Sequence, residues 1–139
     1  GVVGGIAVVV TAPREGVAFE VFDEQALAAT LQGGRPAMLD FTADWCAPCH
    51  ELERFTFSDP RVKEAVKGFR AFKVDLTKYQ SPEAERWRRQ YGIGGVPTVV
   101  FLSPDGNEVV QARVEGFIPP EPFIERVQTA LAATRQAAR

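Results

Sequence analysis

Two cysteines stand three positions apart in the segment Ala43-Asp44-Trp45-Cys46-Ala47-Pro48-Cys49-His50, and the 139-residue chain has no others. A disulfide framework needs several cysteines spread along a chain. A pair this close ties no distant segments together, so it suits chemistry or a ligand. The chemistry open to it is thiol–disulfide exchange. A thiol attacks a disulfide only as thiolate, and a free cysteine is mostly protonated at neutral pH. The nucleophile therefore needs a place that favours an anion. The first turn of a helix is such a place, because its N–H groups are unpaired and its dipole is positive there. Cys46 at a helix start would attack a substrate disulfide. Cys49, one turn on and expected to be more enclosed, would attack the mixed disulfide and release the product. Pro48 falls in the first turn, where a missing N–H costs little.

The elements that must hold this pair follow from the flanking sequence. Pro36 to Thr42 is a short, mostly apolar run that suits a buried strand, and a helix is expected from about Cys46 to Arg54. Upstream, Asp23 is a candidate N-cap for a helix to about Leu31, which Gly33-Gly34 ends. Downstream, Ser58-Asp59-Pro60 starts another helix. Phe69 to Asp75 alternates as a strand, and Ser81 to Gly92 reads as a helix. Thr98 to Ser103 and Glu108 to Val114 read as strands of a hairpin joined at Pro104-Asp105-Gly106-Asn107. A last helix begins near Pro120, with Phe123, Val127 and Leu131 at four-residue spacing. Strands joined through helices are expected to be parallel neighbours, and the final hairpin antiparallel. The fold class is therefore α/β, a central mixed sheet with helices on both faces.

Composition narrows the function. Apolar residues make up 45% and charged residues 24%, as in ordinary globular domains, and the net charge of −2 comes with no long charged run. Neither a nucleic-acid footprint nor a polybasic membrane patch is written here. Residues 1–10 carry no charge, yet they are too few to span a bilayer. They read as a strand, as the end of a membrane helix, or as a signal-peptide remnant. Residues 1–16 are taken as this apolar segment and a linker, and residues 17–139 as one domain.

A C-x-x-C at a strand-to-helix junction is the thioredoxin-like redox signature. Asp44-Trp45-Cys46-Ala47-Pro48-Cys49 resembles the thioredoxin active-site motif. Ile93-Gly94-Gly95-Val96-Pro97-Thr98 resembles the thioredoxin loop that carries a cis-proline. That resemblance implies the thioredoxin fold. It also implies substrate-binding roles for Val96, Pro97 and Trp45. A closer resemblance runs over about residues 19–131. Met38-Leu39-Asp40-Phe41-Thr42-Ala43-Asp44-Trp45-Cys46, Glu51-Leu52-Glu53, Thr56-Phe57-Ser58-Asp59-Pro60 and Gln111-Ala112-Arg113-Val114-Glu115-Gly116-Phe117 are similar to the C-terminal periplasmic domain of the DsbD family. These are bacterial membrane thiol:disulfide interchange proteins. The resemblance implies a protein-disulfide reductase without cofactor or metal, at the periplasmic face of the inner membrane. Its donor would be a membrane domain, in the same full-length chain or apart from it. Its acceptors would be disulfides of periplasmic thioredoxin-like partners.

Two acids carry over by position. Asp40 matches the buried aspartate that precedes the thioredoxin motif, and Glu53 matches a glutamate beside the cysteines of the DsbD domain. A carboxylate in an apolar strand has its pKa raised by desolvation, and could accept the Cys49 proton during resolution. His50 departs from both families, which usually carry Lys there. It could tune the thiolate or confer a pH dependence. A free-standing thioredoxin is the alternative within the class. From another class, Cys46-Ala47-Pro48-Cys49-His50 satisfies the c-type haem attachment pattern, although the sole Met, Met38, sits inside the strand. Zinc would find only Cys46, Cys49 and His50 within one turn, short of a four-ligand site.

Overall fold

The structure, a computed structural model, describes residues 16–137. The expectations for residues 1–10 lie outside them. The helix starts follow from local chemistry. Asp23, Asp59 and Ser81 each accept a backbone N–H two or three residues on, and so cap α1 (Glu24–Gln32), α3 (Pro60–Ala65) and α4 (Pro82–Tyr91). Pro60 and Pro82 occupy first-turn positions. Gly92 closes α4 in the left-handed conformation, at φ 66°. The remaining helices are α2 (Ala47–Glu51), which continues as a π-helical stretch over Leu52–Phe57, and α5 (Pro120–Ala137). No helix among the described residues is long and apolar enough to cross a membrane.

Five strands form one mixed sheet in the order β1-β3-β2-β4-β5. They are β1 (Glu20–Val21), β2 (Ala37–Thr42), β3 (Arg70–Asp75), β4 (Thr98–Leu102) and β5 (Val114–Glu115). The central strand β2 is buried along its whole length, as its apolar sequence requires. Its alternate side chains feed two cores. Met38 joins Val99, Phe101, Leu52, Phe57, Val62, Phe123 and Val127 on one face, under the π-helical stretch, α3 and α5. Leu39 and Phe41 join Phe72, Val74, Val100, Leu27 and Ala84 on the other, under α1 and α4. Helices thus cover both faces.

Three expectations need correction. The parallel rule holds for β2 and β3, but β4 lies beside β2 and antiparallel to it, not beside β3. The other edge of β3 is already taken by β1, a strand too short for periodicity to reveal. The expected strand from Glu108 to Val114 is broken. Val109 N–H donates to the Phe101 carbonyl at 2.9 Å, whereas Val114 pairs with Val99. Residues 110–113 must therefore fit opposite Val100 alone, and Val110–Ala112 coil into a 3-10 turn. Finally, the helix after the cysteines runs on to Phe57 rather than stopping near Arg54.

That 3-10 turn aims Arg113 at the end of α4. Its guanidinium donates to both Glu108 carboxylate oxygens at 2.8 Å, to the Tyr91 carbonyl at 2.6 Å and to the Gly92 carbonyl at 2.9 Å. The side chain is 17% exposed and that of Glu108 is 20% exposed. Arg113→Met is expected to lower stability by about 2–3 kcal/mol, since it strands a half-buried carboxylate and two helix-end carbonyls. Urea unfolding measures this, and a loss below about 0.5 kcal/mol would reduce Arg113 to an ordinary surface charge.

Candidate redox site

The site lies at the C-terminal end of β2. Ala43 to Trp45 turn the chain from the strand, and Cys46 is the N-cap of α2, in extended conformation. Cys46 and Cys49 form a disulfide, with Cα atoms 5.3 Å apart. The Cys49 backbone N–H points at Cys46 Sγ from 3.2 Å. A thiolate on Cys46 would find this donor already in place, together with the positive end of the helix. Exposure does not distinguish the two sulfurs' residues as expected: Cys46 is 4% exposed and Cys49 3%. What separates them is position, one at the cap and one inside the turn.

Trp45, 57% exposed, is held at its edge. Its Nε1–H donates to the Thr77 carbonyl at 2.8 Å, and its ring meets Tyr79 edge-on. Val96 packs against the small apolar cluster that Ala43 forms with the two cysteines. The Val96–Pro97 peptide bond is cis. The Pro97 carbonyl accepts the Gly116 N–H at 2.9 Å, which anchors the loop on the strand side. Trp45, Val96 and the cysteine pair thus share one end of the sheet.

Asp40 is 1% exposed and sits in the centre of β2, in register with Lys73 of β3 and Val99 of β4. By strand alternation it shares a face with Met38, the face covered by the helix that carries Cys49. Burial pushes its pKa up to about 7, with the Lys73 ammonium pulling the other way and the Glu53 carboxylate adding to the rise. Its Oδ1 has no hydrogen-bond partner among the described residues. Glu53 lies one turn beyond Cys49 and forms an ion pair with Lys73. Both side chains are partly exposed, so this pair matters for the local field rather than for stability. The two acids are therefore joined electrostatically through one cation, Lys73.

Lys73 and Thr77 escaped the sequence reading. The signal for Lys73 was a lone cation on the strand side otherwise formed by Phe69 and Ala71. For Thr77 there was none, because its hydroxyl and its backbone carbonyl serve Asp44 and Trp45, more than thirty positions away in the chain. A groove of about 340 Å³ opens here, lined by Thr42, Asp44, His50, Glu53, Lys73 and Asp75 among others. The larger cleft, about 830 Å³ between β1, α1 and α4, contains neither cysteine. No group of side chains among the described residues is arranged to hold a metal ion.

Comparison with known proteins agrees with this geometry. The thioredoxin-like domain family matches residues 23–131. The thiol:disulfide interchange protein DsbD of Vibrio vulnificus is 41% identical over 105 residues, which are 76% of this chain and 18% of that protein. The chain thus spans less than a fifth of that relative's length. The crystal structure of the oxidised C-terminal domain of Neisseria meningitidis DsbD superposes with a TM-score of 0.64 at 33% identity, covering 81% of this chain and 99% of that one. A thioredoxin from Thermus thermophilus gives a TM-score of 0.73 at 26% identity, covering 89% of this chain and 94% of that one. By sequence and by fold, the chain belongs to the thioredoxin-like domain family, alongside the C-terminal domains of DsbD, and is a thiol:disulfide oxidoreductase.

Proposed function

We propose that this domain is an electron relay that acts mainly as a reductant. It accepts two electrons from a membrane donor and passes them to disulfides of thioredoxin-like proteins on the periplasmic face of a bacterial inner membrane. The observation that carries this reading is the 33% identity over 99% of a DsbD C-terminal domain, with the cysteine pair closed at the start of α2.

In the reducing direction, Cys46 thiolate attacks one sulfur of the substrate disulfide. A Cys46–substrate bond forms, the substrate S–S bond breaks, and one substrate thiolate leaves. Cys49 then loses its proton to Asp40 and attacks Cys46 Sγ. The Cys46–Cys49 bond forms, the second substrate thiolate leaves, and the substrate has gained two electrons. The raised pKa of Asp40 suits it to hold that proton at neutral pH. Glu53 and Lys73 set the field around it. Trp45 and Val96 flank the pair, and the backbone next to Pro97 would pair with an extended substrate segment as an added strand. The donor regenerates the dithiol by the reverse sequence.

A relay must both receive and give, so its potential is expected to be intermediate, about −230 to −270 mV, the span between glutaredoxins and thioredoxin. Equilibration with a glutathione buffer measures it. A value near −120 mV, that of a dedicated oxidant, would end the reducing role. The higher TM-score to the Thermus thioredoxin favours a second reading, a free-standing general reductase. Efficient turnover by a cytosolic thioredoxin reductase without any membrane donor would decide for it.

A further inference from the structure

His50 is the chain's one histidine. Its backbone N–H donates to the Cys46 carbonyl at 3.2 Å, so the two residues are helical neighbours one turn apart. Its ring turns back toward the strand, and Nε2 lies 2.7 Å from the Asp44 carbonyl oxygen. A carbonyl only accepts, so Nε2 carries the proton in this bond. The same segment is held from its other side by Thr77. The Asp44 N–H donates to Thr77 Oγ1 at 2.9 Å, and the Trp45 indole to the Thr77 carbonyl at 2.8 Å. Thr77 is itself fixed by Asp75, through its N–H at 2.9 Å and its hydroxyl at 2.5 Å. The turn between β2 and Cys46 is thus clasped twice, by the β3–α4 loop and by the imidazole.

We propose that His50 is a positioning residue that latches the Asp44–Trp45 turn onto α2 and, when protonated, favours the Cys46 thiolate one helical turn away. The inference rests on thiol–disulfide exchange and is independent of the relay. The latch does not depend on the ring's charge, because Nε2–H donates to Asp44 with or without a proton on Nδ1. Only the charge changes. The charged groups around the ring are Asp44, Glu53, Lys73 and Asp75. Lys73 is already paired with Glu53, and Asp75 is engaged by Thr77.

His50 is exposed, so its variants are expected to fold. Gln can donate to the Asp44 carbonyl but carries no charge, whereas Ala does neither. The reduced protein is alkylated with iodoacetamide from pH 5.5 to 8.5, and exchange of the Asp44 N–H and Trp45 indole N–H is followed by NMR. Near pH 6, Cys46 should react about two- to threefold faster in the wild type than in His50→Gln, the effect of one charge about 6 Å away in water. The difference should shrink as the pH is raised. Exchange at Asp44 and Trp45 should be unchanged in His50→Gln and about tenfold faster in His50→Ala, the loss of one hydrogen bond. A ratio that does not vary with pH overturns the charge effect. Unchanged exchange in His50→Ala overturns the latch.

Discussion

Cys46→Ser is expected to eliminate disulfide reduction, while Cys49→Ser keeps the attack and accumulates mixed disulfides with the substrate. The asymmetry cannot come from exposure, since the two cysteines are 4% and 3% exposed. It comes from where α2 begins. Cys46 caps the helix, and its sulfur accepts the Cys49 N–H at 3.2 Å, so negative charge there is met by a donor and by the helix dipole. Cys49 lies within the first turn and its sulfur is aimed at Cys46. It is placed to attack the Cys46–substrate bond and nothing farther out. Serine lacks a thiolate at any accessible pH, so at position 46 no mixed disulfide forms, and at position 49 it forms and is not resolved. Mass spectrometry after reaction with a disulfide-bonded peptide distinguishes the two. Alkylation of the reduced wild type at pH 6 is the companion measurement, and labelling of Cys49 before Cys46 would reverse the assignment.

The features that place Cys46 were legible because they are local. Each capping residue sits within three positions of the N–H it satisfies, so Asp23, Asp59 and Ser81 announce their helices without tertiary information. Pro36 to Thr42 is apolar enough to demand a buried strand, which fixes the strand-to-helix junction at the cysteines. What stayed hidden is non-local. β1 exists only because Glu20 and Val21 meet Phe72 and Lys73 across the sheet, and both of its residues are exposed. The place of β4 depends on which edge of β2 and β3 remains open. The break at Val110 depends on the register of Val109 and Val114 against β4. Within the site, Asp40 and Glu53 could be carried over by position, but the cation between them could not. Lys73 is 33 residues beyond Asp40 in the chain, and only the parallel register of β2 and β3 makes them neighbours. The bond from His50 to Asp44 was hidden for a similar reason. It depends on the angle at which α2 leaves the turn.

Asp40→Asn should make the oxidised protein more stable above neutral pH and slower in exchange. The carboxyl ordinarily titrates near 3.8, and burial has moved it to about 7 in the folded chain. The folded state therefore binds the proton more tightly than the unfolded one. Below about pH 4 the group is protonated in both states and costs nothing by titration. As pH rises from 4 to 7 the unfolded chain releases its proton while the folded chain keeps it, and stability falls by about 1.4 kcal/mol per unit. Above 7 both states are ionised and the loss levels off at about 4 kcal/mol. Asparagine has no such proton. Its stability curve should run level where the wild type slopes, meeting it near pH 4 and exceeding it at pH 8 by an amount approaching that loss. Urea unfolding of the oxidised form at pH 4, 6 and 8 tests this, and parallel curves would mean that Asp40 does not titrate in this range. On the proposed mechanism, the same substitution removes the acceptor for the Cys49 proton. Resolution followed by stopped flow at pH 7 should slow by about 10²-fold, the lower end of general-base contributions. A structural acid would give the opposite pairing, with lost stability and an unchanged rate. A variant that gains stability as it loses rate identifies a carboxyl kept in an unfavourable place for the sake of the reaction.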